Sequence, residues 1–217
     1  MLAAGQYAAA AAQLQRAIDL GHLPSRALKA WLLLRGREGV AVDEERGFEL
    51  AEEGARLGCH HCQGVVAYCY CYGYGCEADD ARSLELARES SGRGSRYGQH
   101  ALGLFHRFGA GGRETRDAAQ AVAFYGLAAA QGLDAARCEL GDMHLQGNGV
   151  AQDHDEALRW YQLAAAQGYP PALIKVASCH KNGWGVAADV TEAIRWLKRA
   201  QAAGDLLAAD ELERLGA

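Results

Sequence analysis

At 217 residues the chain has the size of one large domain or two small ones. Half of its residues are hydrophobic, 23% are charged and the net charge is −5, which is ordinary for a soluble globular protein and argues against nucleic acid as the main partner, since neutralising phosphates needs a basic face. No stretch approaches the roughly 18 consecutive apolar residues of a membrane span.

The first residues, Met1 to Ala12, are rich in alanine but lack the basic region and strongly apolar core of a secretion signal. Tyr7 to Leu20 reads as a helix that ends at Gly21, with Pro24 just beyond it, where a proline suits the start of the next helix. From there the chain repeats itself. A glycine motif recurs as Gly39-Val40, Gly75-Cys76, Gly111-Gly112, Gly149-Val150 and Gly185-Val186, in steps of 36, 36, 38 and 36 residues. Each glycine is followed by an aspartate (Asp43, Asp79, Asp117, Asp153, Asp189) and then by Leu50, Leu86, Phe124, Trp160 or Trp196. A period of this length signals stacked helix pairs.

The fourth repeat shows the physics most clearly. Its first helix is expected over Ala135 to Gln146, with Ala136, Leu140, Gly141 and His144 on one face. Gly147-Asn148-Gly149 breaks that helix and Val150 is expected as a buried staple for the turn. Asp153 is placed to cap the second helix, with Glu156 three residues on, as a capping box requires; Asp189 with Glu192 and Asp117 with Gln120 repeat the pattern, and Asp43 and Asp79 hold the same place. The second helix is expected to bury Ala157, Trp160, Tyr161, Ala164 and Ala165. Gly168 ends it, as Gly21, Gly58, Gly94, Gly132 and Gly204 do elsewhere, and Pro170 and Pro171 follow. Asp205 to Leu215 reads as a terminal capping helix with Leu206, Leu207 and Leu212 facing inward and Glu211, Glu213 and Arg214 outward.

The pattern A-x3-L-G-x2-Y-x2-G-x-G-V-x2-D-x3-A-x2-W-x3-A-A-x2-G-x3-A resembles the Sel-one-like repeat family, relatives of the tetratricopeptide repeat. The fourth repeat carries it at Ala136, Leu140, Gly141, Gly147, Gly149, Val150, Asp153, Ala157, Trp160, Ala164, Ala165, Gly168 and Ala172. The fifth carries it at Ala172, Gly183, Gly185, Val186, Asp189, Ala193, Trp196, Ala200 and Gly204. The third has two extra residues near Arg113 to Arg116, and the first two have drifted, with Gly47 and Ser83 where the family has alanine. The resemblance implies an all-α, right-handed solenoid of antiparallel helix pairs over about residues 25 to 208. One solenoid domain is expected: a half-repeat at 1–24, repeats at 25–60, 61–96, 97–134, 135–170 and 171–204, and a cap at 205–217. The resemblance also implies an adaptor that holds a protein or peptide on a concave face lined by the first helices, without enzymatic activity and with no cofactor.

Five of the seven cysteines crowd one repeat: Cys59, Cys62, Cys69, Cys71 and Cys76, with His60 and His61 between the first pair. Cys59, His60, His61 and Cys62 have ligand types that suit zinc. Yet Cys62 and Cys69 stand seven residues apart on one helix, roughly 10 Å by helical rise, so they cannot share a metal without help from elsewhere. Cys62, Cys69 and Cys76 align with Ala136, Met143 and Val150, and buried cysteine behaves as a small hydrophobe, so reduced structural thiols are the first reading, with a metal site or a disulfide, and hence a metal- or redox-responsive second repeat, as the alternatives. An odd, clustered cysteine count fits a reducing, cytoplasmic compartment. His106, His144 and His180 replace the family's tyrosine, which Tyr70 retains; they read either as semi-buried rings bonding a neighbouring loop or as a pH-sensitive spine. No Ser-His-Asp or Cys-His arrangement stands out.

Binding residues are expected on the open side of the first helices: Tyr68, Tyr72, Leu104, Arg107, Phe108, Asp142, Gln146, Lys181 and Asn182, with Tyr74 and Trp184 on the turns. Tyr72, Phe108, Gln146 and Asn182 form one column, aromatic in its first half and amide in its second. Aromatics beside Arg107 suit a hot spot for a peptide or protein partner. The competing reading is a solvated groove in a self-associating protein.

Overall fold

The structure, a computed structural model, describes residues 5–36, 39–109 and 116–216, with the side chains of residues 5, 6 and 206 left aside. The third-repeat motif Gly111-Gly112 and its extra loop residues up to Thr115 lie outside that range, as do Ala110 and the start of the chain.

Among the described residues the chain is all-α and runs as α1 (Gly5–Asp19), α2 (Leu23–Arg35), α3 (Glu44–Arg56), α4 (His60–Tyr72), α5 (Asp80–Gly92), α6 (Arg96–Phe108), α7 (Ala118–Ala130), α8 (Asp134–Gln146), α9 (His154–Ala165), α10 (Pro170–Asn182), α11 (Val190–Ala202) and α12 (Leu206–Arg214). The described residues form two compact units, divided between Gln131 and Gly132. In the first, α2 pairs with α3, α4 with α5 and α6 with α7, and α1 packs on α2. The first helices also meet one another, α2 on α4 and α4 on α6. In the second, α8 pairs with α9 and α10 with α11; α9 packs on α10, and α12 covers α11. Each unit is a stack of helix pairs joined side by side, the arrangement of a solenoid.

The aspartates start the second helices. The carboxylate of Asp153 accepts from the N–H of Glu156 at 2.9 Å, and Asp43, Asp79, Asp117 and Asp189 do the same to Arg46, Arg82, Gln120 and Glu192 at 2.9–3.0 Å. The reciprocal half of a capping box is replaced by something else. The N–H of Asp153 donates back to the carbonyl of His144 at 3.0 Å, and those of Asp117 and Asp189 donate to His106 and His180 at 2.8 Å. Each aspartate thus caps one helix and pins it to the preceding one. Glu156 and Glu192 are free to pair with Arg159 and Arg195 one turn on, at 2.8 and 2.9 Å.

The turn glycines have two jobs. Gly147 closes α8 in the left-handed region at φ 65°, where a side chain would be strained. Gly185, two residues past the cap of α10, is there for proximity: a Cβ on it would lie 2.3 Å from the carbonyl oxygen of His154, at the start of α9. Gly75 meets the carbonyl of Glu44, at the start of α3, at the same distance. At Gly75 and Gly185 the recurring glycine is therefore the contact point through which one repeat's turn rests on the second helix of the repeat before it. Gly141 in turn leaves room for the ring of Tyr161, which a Cβ would approach to 2.6 Å.

Several expected core positions shift. Tyr161 is sealed, but Trp160 and Trp196 are half-buried and lie under the guanidinium groups of Arg159 and Arg199, at 5.3 and 4.0 Å. Val150 is likewise half-buried rather than a sealed staple: it lies in the turn between α8 and α9 and not on a helix face. In α12 the inward residues are Ala208 and Leu212, whereas Leu207 is 70% exposed: the short cap presents only one narrow stripe to α11, and Leu207 lies off it. The side chain of Leu206 lies outside the described set.

Candidate interaction surface

In the unit that ends at Gln131, the inner face of the first helices is filled. Trp31 of α2, Tyr68 of α4, and Tyr97 and His100 of α6 converge there. The Trp31 ring lies 4.8 Å from Tyr68, 5.2 Å from Tyr97 and 5.7 Å from His100; His100 also meets Tyr68 at 5.6 Å and Tyr125 of α7 at 5.8 Å. These are the separations of favourably tilted aromatic pairs. Close helix packing makes the convergence workable: a Cβ on Gly64 of α4 would stand 2.4 Å from the backbone nitrogen of Gly98 in α6.

The cluster opens toward solvent at the far ends of α2 and α4. The Arg35 guanidinium stands over both Trp31 and Tyr68, at 6.0 and 5.8 Å, and donates to the Tyr68 hydroxyl. Tyr68 touches Tyr72 at 5.1 Å and Tyr74 at 5.6 Å, and those two rings stack on each other at 5.4 Å. Tyr72 is 43% exposed. In the same register on α6, Phe108 is 51% exposed, with the Arg107 guanidinium 5.1 Å from its ring.

This changes the expected binding set. Tyr68 and Leu104, expected on the open side, are core residues, 2% and 1% exposed, because the close approach of α2, α4 and α6 seals that register. Tyr72, Tyr74, Arg107 and Phe108 stand at or near the surface. Gln146, Asn182, Asp142, Lys181 and Trp184 belong to the other unit. There Gln146 is exposed, and Asn182 donates to the Ser178 carbonyl at 2.8 Å. Trp184 is half-buried, 6.3 Å from the His154 ring. Asp142 is committed to its own fold: it accepts from the Tyr161 hydroxyl at 2.6 Å and pairs with Lys175 at 2.8 Å. Burial, and then the Asp142 charge, push the Tyr161 hydroxyl well above its ordinary value. Lys181 is tied to Glu211 of the cap.

The cysteines sit apart from this surface. Cys62, Cys69, Cys138 and Cys179 are buried, and burial pushes the Cys69, Cys138 and Cys179 thiols up, the last to about 11. Cys59 differs. It stands at the cap of α4, where the Cys62 thiol and the N–H groups of Cys62 and His61 hold it below the thiol range. His60 and His61 lie ring against ring at 4.2 Å, His61 bonds Ser95 at 3.2 Å, and the Cys62 sulfur faces the Leu23 carbonyl at 3.9 Å. Cys59 meets Cys62 and His60 lies on His61, but the two pairs do not converge: among the described residues no three His, Cys, Asp or Glu gather as metal ligands would. The imidazole column does not bond neighbouring loops through Nδ1: in His106, His144 and His180 that atom is buried without a hydrogen-bond partner, and His106 instead stacks on Phe124, 5.5 Å away.

Sequence reasoning missed His100, Trp31 and Tyr97, and with them the filled inner face. The available signal was the pair Tyr68 and Leu104, apolar in adjacent repeats where the fourth and fifth carry Asp142 and Ser178.

The sequence of the helix pairs matches a family model described as "Sel1 repeat", at residues 27–59, 61–95, 96–133, 134–169 and 170–205. Among solved structures, a protective antigen of uropathogenic Escherichia coli displaying an SLR fold is 27% identical, with a TM-score of 0.60; the match covers 90% of this chain and 41% of that one, so this chain spans about two fifths of the antigen's length. A Sel1 repeat protein from Oxalobacter formigenes is 24% identical at a TM-score of 0.65, covering 88% of this chain and 76% of its own. A putative Sel1 repeat protein from Klebsiella pneumoniae is 18% identical at 0.60, covering 95% and 99%. No curated protein matches the chain. Among the described residues no helix is long and apolar enough to cross a membrane.

Proposed function

The chain belongs to the Sel1 repeat family, whose members are helical-repeat scaffolds for protein interaction, and we propose that it is a non-enzymatic adaptor that holds a peptide or protein segment on the first-helix face at Tyr72, Tyr74 and Phe108. One observation carries this reading. Tyr72 and Phe108 are 43% and 51% exposed, yet Tyr72 is braced through Tyr68 against a sealed aromatic core. A ring that is exposed but already ordered loses little side-chain entropy when a partner covers it, which is the economy of a hot spot. Arg35 and Arg107 flank the rings and favour a segment that carries acceptors.

The test is a partner isolated by affinity capture from the source organism and then purified, with its Kd measured against the wild type and against Tyr72→Ala/Phe108→Ala. The reading expects the double variant to bind at least about a hundredfold more weakly, at roughly 1.4 kcal/mol or more per ring. Equal binding rules the surface out.

A second reading rests on Cys59, whose lowered thiol would serve a redox response of the second repeat. Thiol titration of the native protein separates the two: a Cys59 that stays unmodified by an alkylating reagent at pH 7 rejects it.

A further inference from the structure

The opposite end of the same three helices carries a second feature. A cleft of about 310 Å³ opens where α2, α4 and α6 begin, lined by His22, Pro24, Ser25, Leu28, His61, Arg96, Tyr97 and Gln131. We propose that this cleft binds a single carboxylate side chain from an acidic segment of a partner protein, with Arg96 as its counter-charge. The proposal adds the partner's chemistry to the scaffold reading and rests on that reading only for there being a protein partner.

Charge is the first argument. Arg96 is the one permanent cation among the lining residues, and no carboxylate lines the cleft with it. Its guanidinium is held by neutral groups: it donates to the Gln131 carbonyl at 3.3 Å and to the Tyr97 hydroxyl at 3.1 Å, and it lies over the Tyr97 ring at 5.0 Å. The cation is thus already oriented, and no ion pair to a carboxylate is among its contacts in the described structure. A guanidinium has five N–H donors in a fixed fork, so donors remain for a ligand.

Hydrogen bonding is the second argument. The Ser95 hydroxyl oxygen accepts from the N–H of Gly98 at 3.4 Å and lies 3.2 Å from Nδ1 of His61. With the hydroxyl proton donated to Nδ1, a neutral His61 carries its own proton on Nε2 and is a donor without a charge. Burial first, and then the neighbouring His60 and Arg96, hold His61 at about 4, so it is neutral at pH 7. The ring of His22 is oriented in a similar way, its Nδ1 2.7 Å from the Ser25 hydroxyl. One permanent positive charge beside neutral donors matches one carboxylate better than a dianionic phosphate. The apolar parts of Pro24, Leu28 and Tyr97 offer a floor for the methylenes of a glutamate or aspartate.

The probe is acetylated, amidated hexaglutamate, whose only anions are side-chain carboxylates, titrated into the full chain against hexaglutamine and inorganic phosphate. Heat of binding and the His61 imidazole resonance are read together. The expected result is saturable binding of hexaglutamate, none of hexaglutamine, and an upward move of the His61 titration midpoint, because a bound anion favours the charged ring. Arg96→Gln should weaken binding by about tenfold or more. Pro24→Glu, which puts a rival carboxylate on the exposed rim and leaves Arg96 in place, should weaken it similarly; thermal melting checks that both variants fold. Equal binding of hexaglutamine, full binding by both variants, or phosphate displacing the peptide at lower concentration than hexaglutamate itself requires would each overturn the proposal. Tyr72→Ala/Phe108→Ala protein should bind hexaglutamate as the wild type does, so the aromatic end and the cleft stand or fall separately.

Discussion

The imidazole of His100 meets the indole of Trp31 edge-on, with ring centroids 5.7 Å apart and planes at 89°. Both ring nitrogens of His100 are buried without a hydrogen-bond partner among the described residues. Burial, and then the charge of Arg35, hold its proton affinity down to about 3. The folded state therefore keeps the ring neutral while the unfolded chain protonates near 6.5. The stability tied to the neutral ring is fully present above about pH 6.5 and is lost as pH falls from there toward 3, because the unfolded state then binds the extra proton.

His100→Phe keeps an aromatic ring in the site and removes two unsatisfied polar atoms. It should raise stability at pH 7 by about 1 kcal/mol or more. The difference between variant and wild type should widen by about 1.4 kcal/mol for each pH unit below 6, as read by urea unfolding. A difference that stays constant between pH 7 and pH 5 would show that His100 is not sealed in this way.

The aspartate caps separate side-chain from backbone roles. Asp153→Ala removes the acceptor of the Glu156 N–H but keeps the backbone bond to the His144 carbonyl, so thermal melting should show a loss of about 1 kcal/mol and no more than about 2. Glu156→Ala, with no reciprocal capping bond to lose, should stay within about 0.5 kcal/mol. A larger cost for Glu156 than for Asp153 would restore the capping box.

The two kinds of glycine should also differ. Gly204→Ala has open space and only its positive φ of 89° against it, for a cost of about 1 kcal/mol. Gly185→Ala drives a Cβ to 2.3 Å from the His154 carbonyl and should cost well over about 2 kcal/mol. Similar melting temperatures for the two variants would remove the turn's role as a contact between repeats.

Asp142 should behave as a structural residue. Tyr161→Phe deletes a hydrogen bond to a charged group and should cost about 1.5–3 kcal/mol, as read by denaturant unfolding. Asp142→Ala should cost at least as much, since it leaves Lys175 without its partner. Unchanged unfolding in both variants, with weakened partner binding in the Asp142 variant, would return Asp142 to the interaction surface.

What could be read from the chain alone follows from range. The aspartate caps, the turn glycines and the helix pairs act over a few residues, so a 36-residue period displays them directly. The aromatic cluster joins Trp31, Tyr68, Tyr97, His100 and Tyr125, which come from four helices and three repeats. Its existence depends on how closely α2, α4 and α6 approach, and that is set by small residues such as Gly64 and Gly98 rather than by any pattern along one helix. Tyr68 and Leu104 look open in a regular repeat for the same reason. The cleft around Arg96 was likewise invisible, because its lining comes from residues as far apart as His22 and Gln131.

The scaffold reading is tested most directly by one binding constant: that of a purified partner for wild type against Tyr72→Ala/Phe108→Ala, with both proteins shown to melt at the same temperature. The account predicts a loss of at least about a hundredfold in the double variant. The same Kd for both proteins would contradict it.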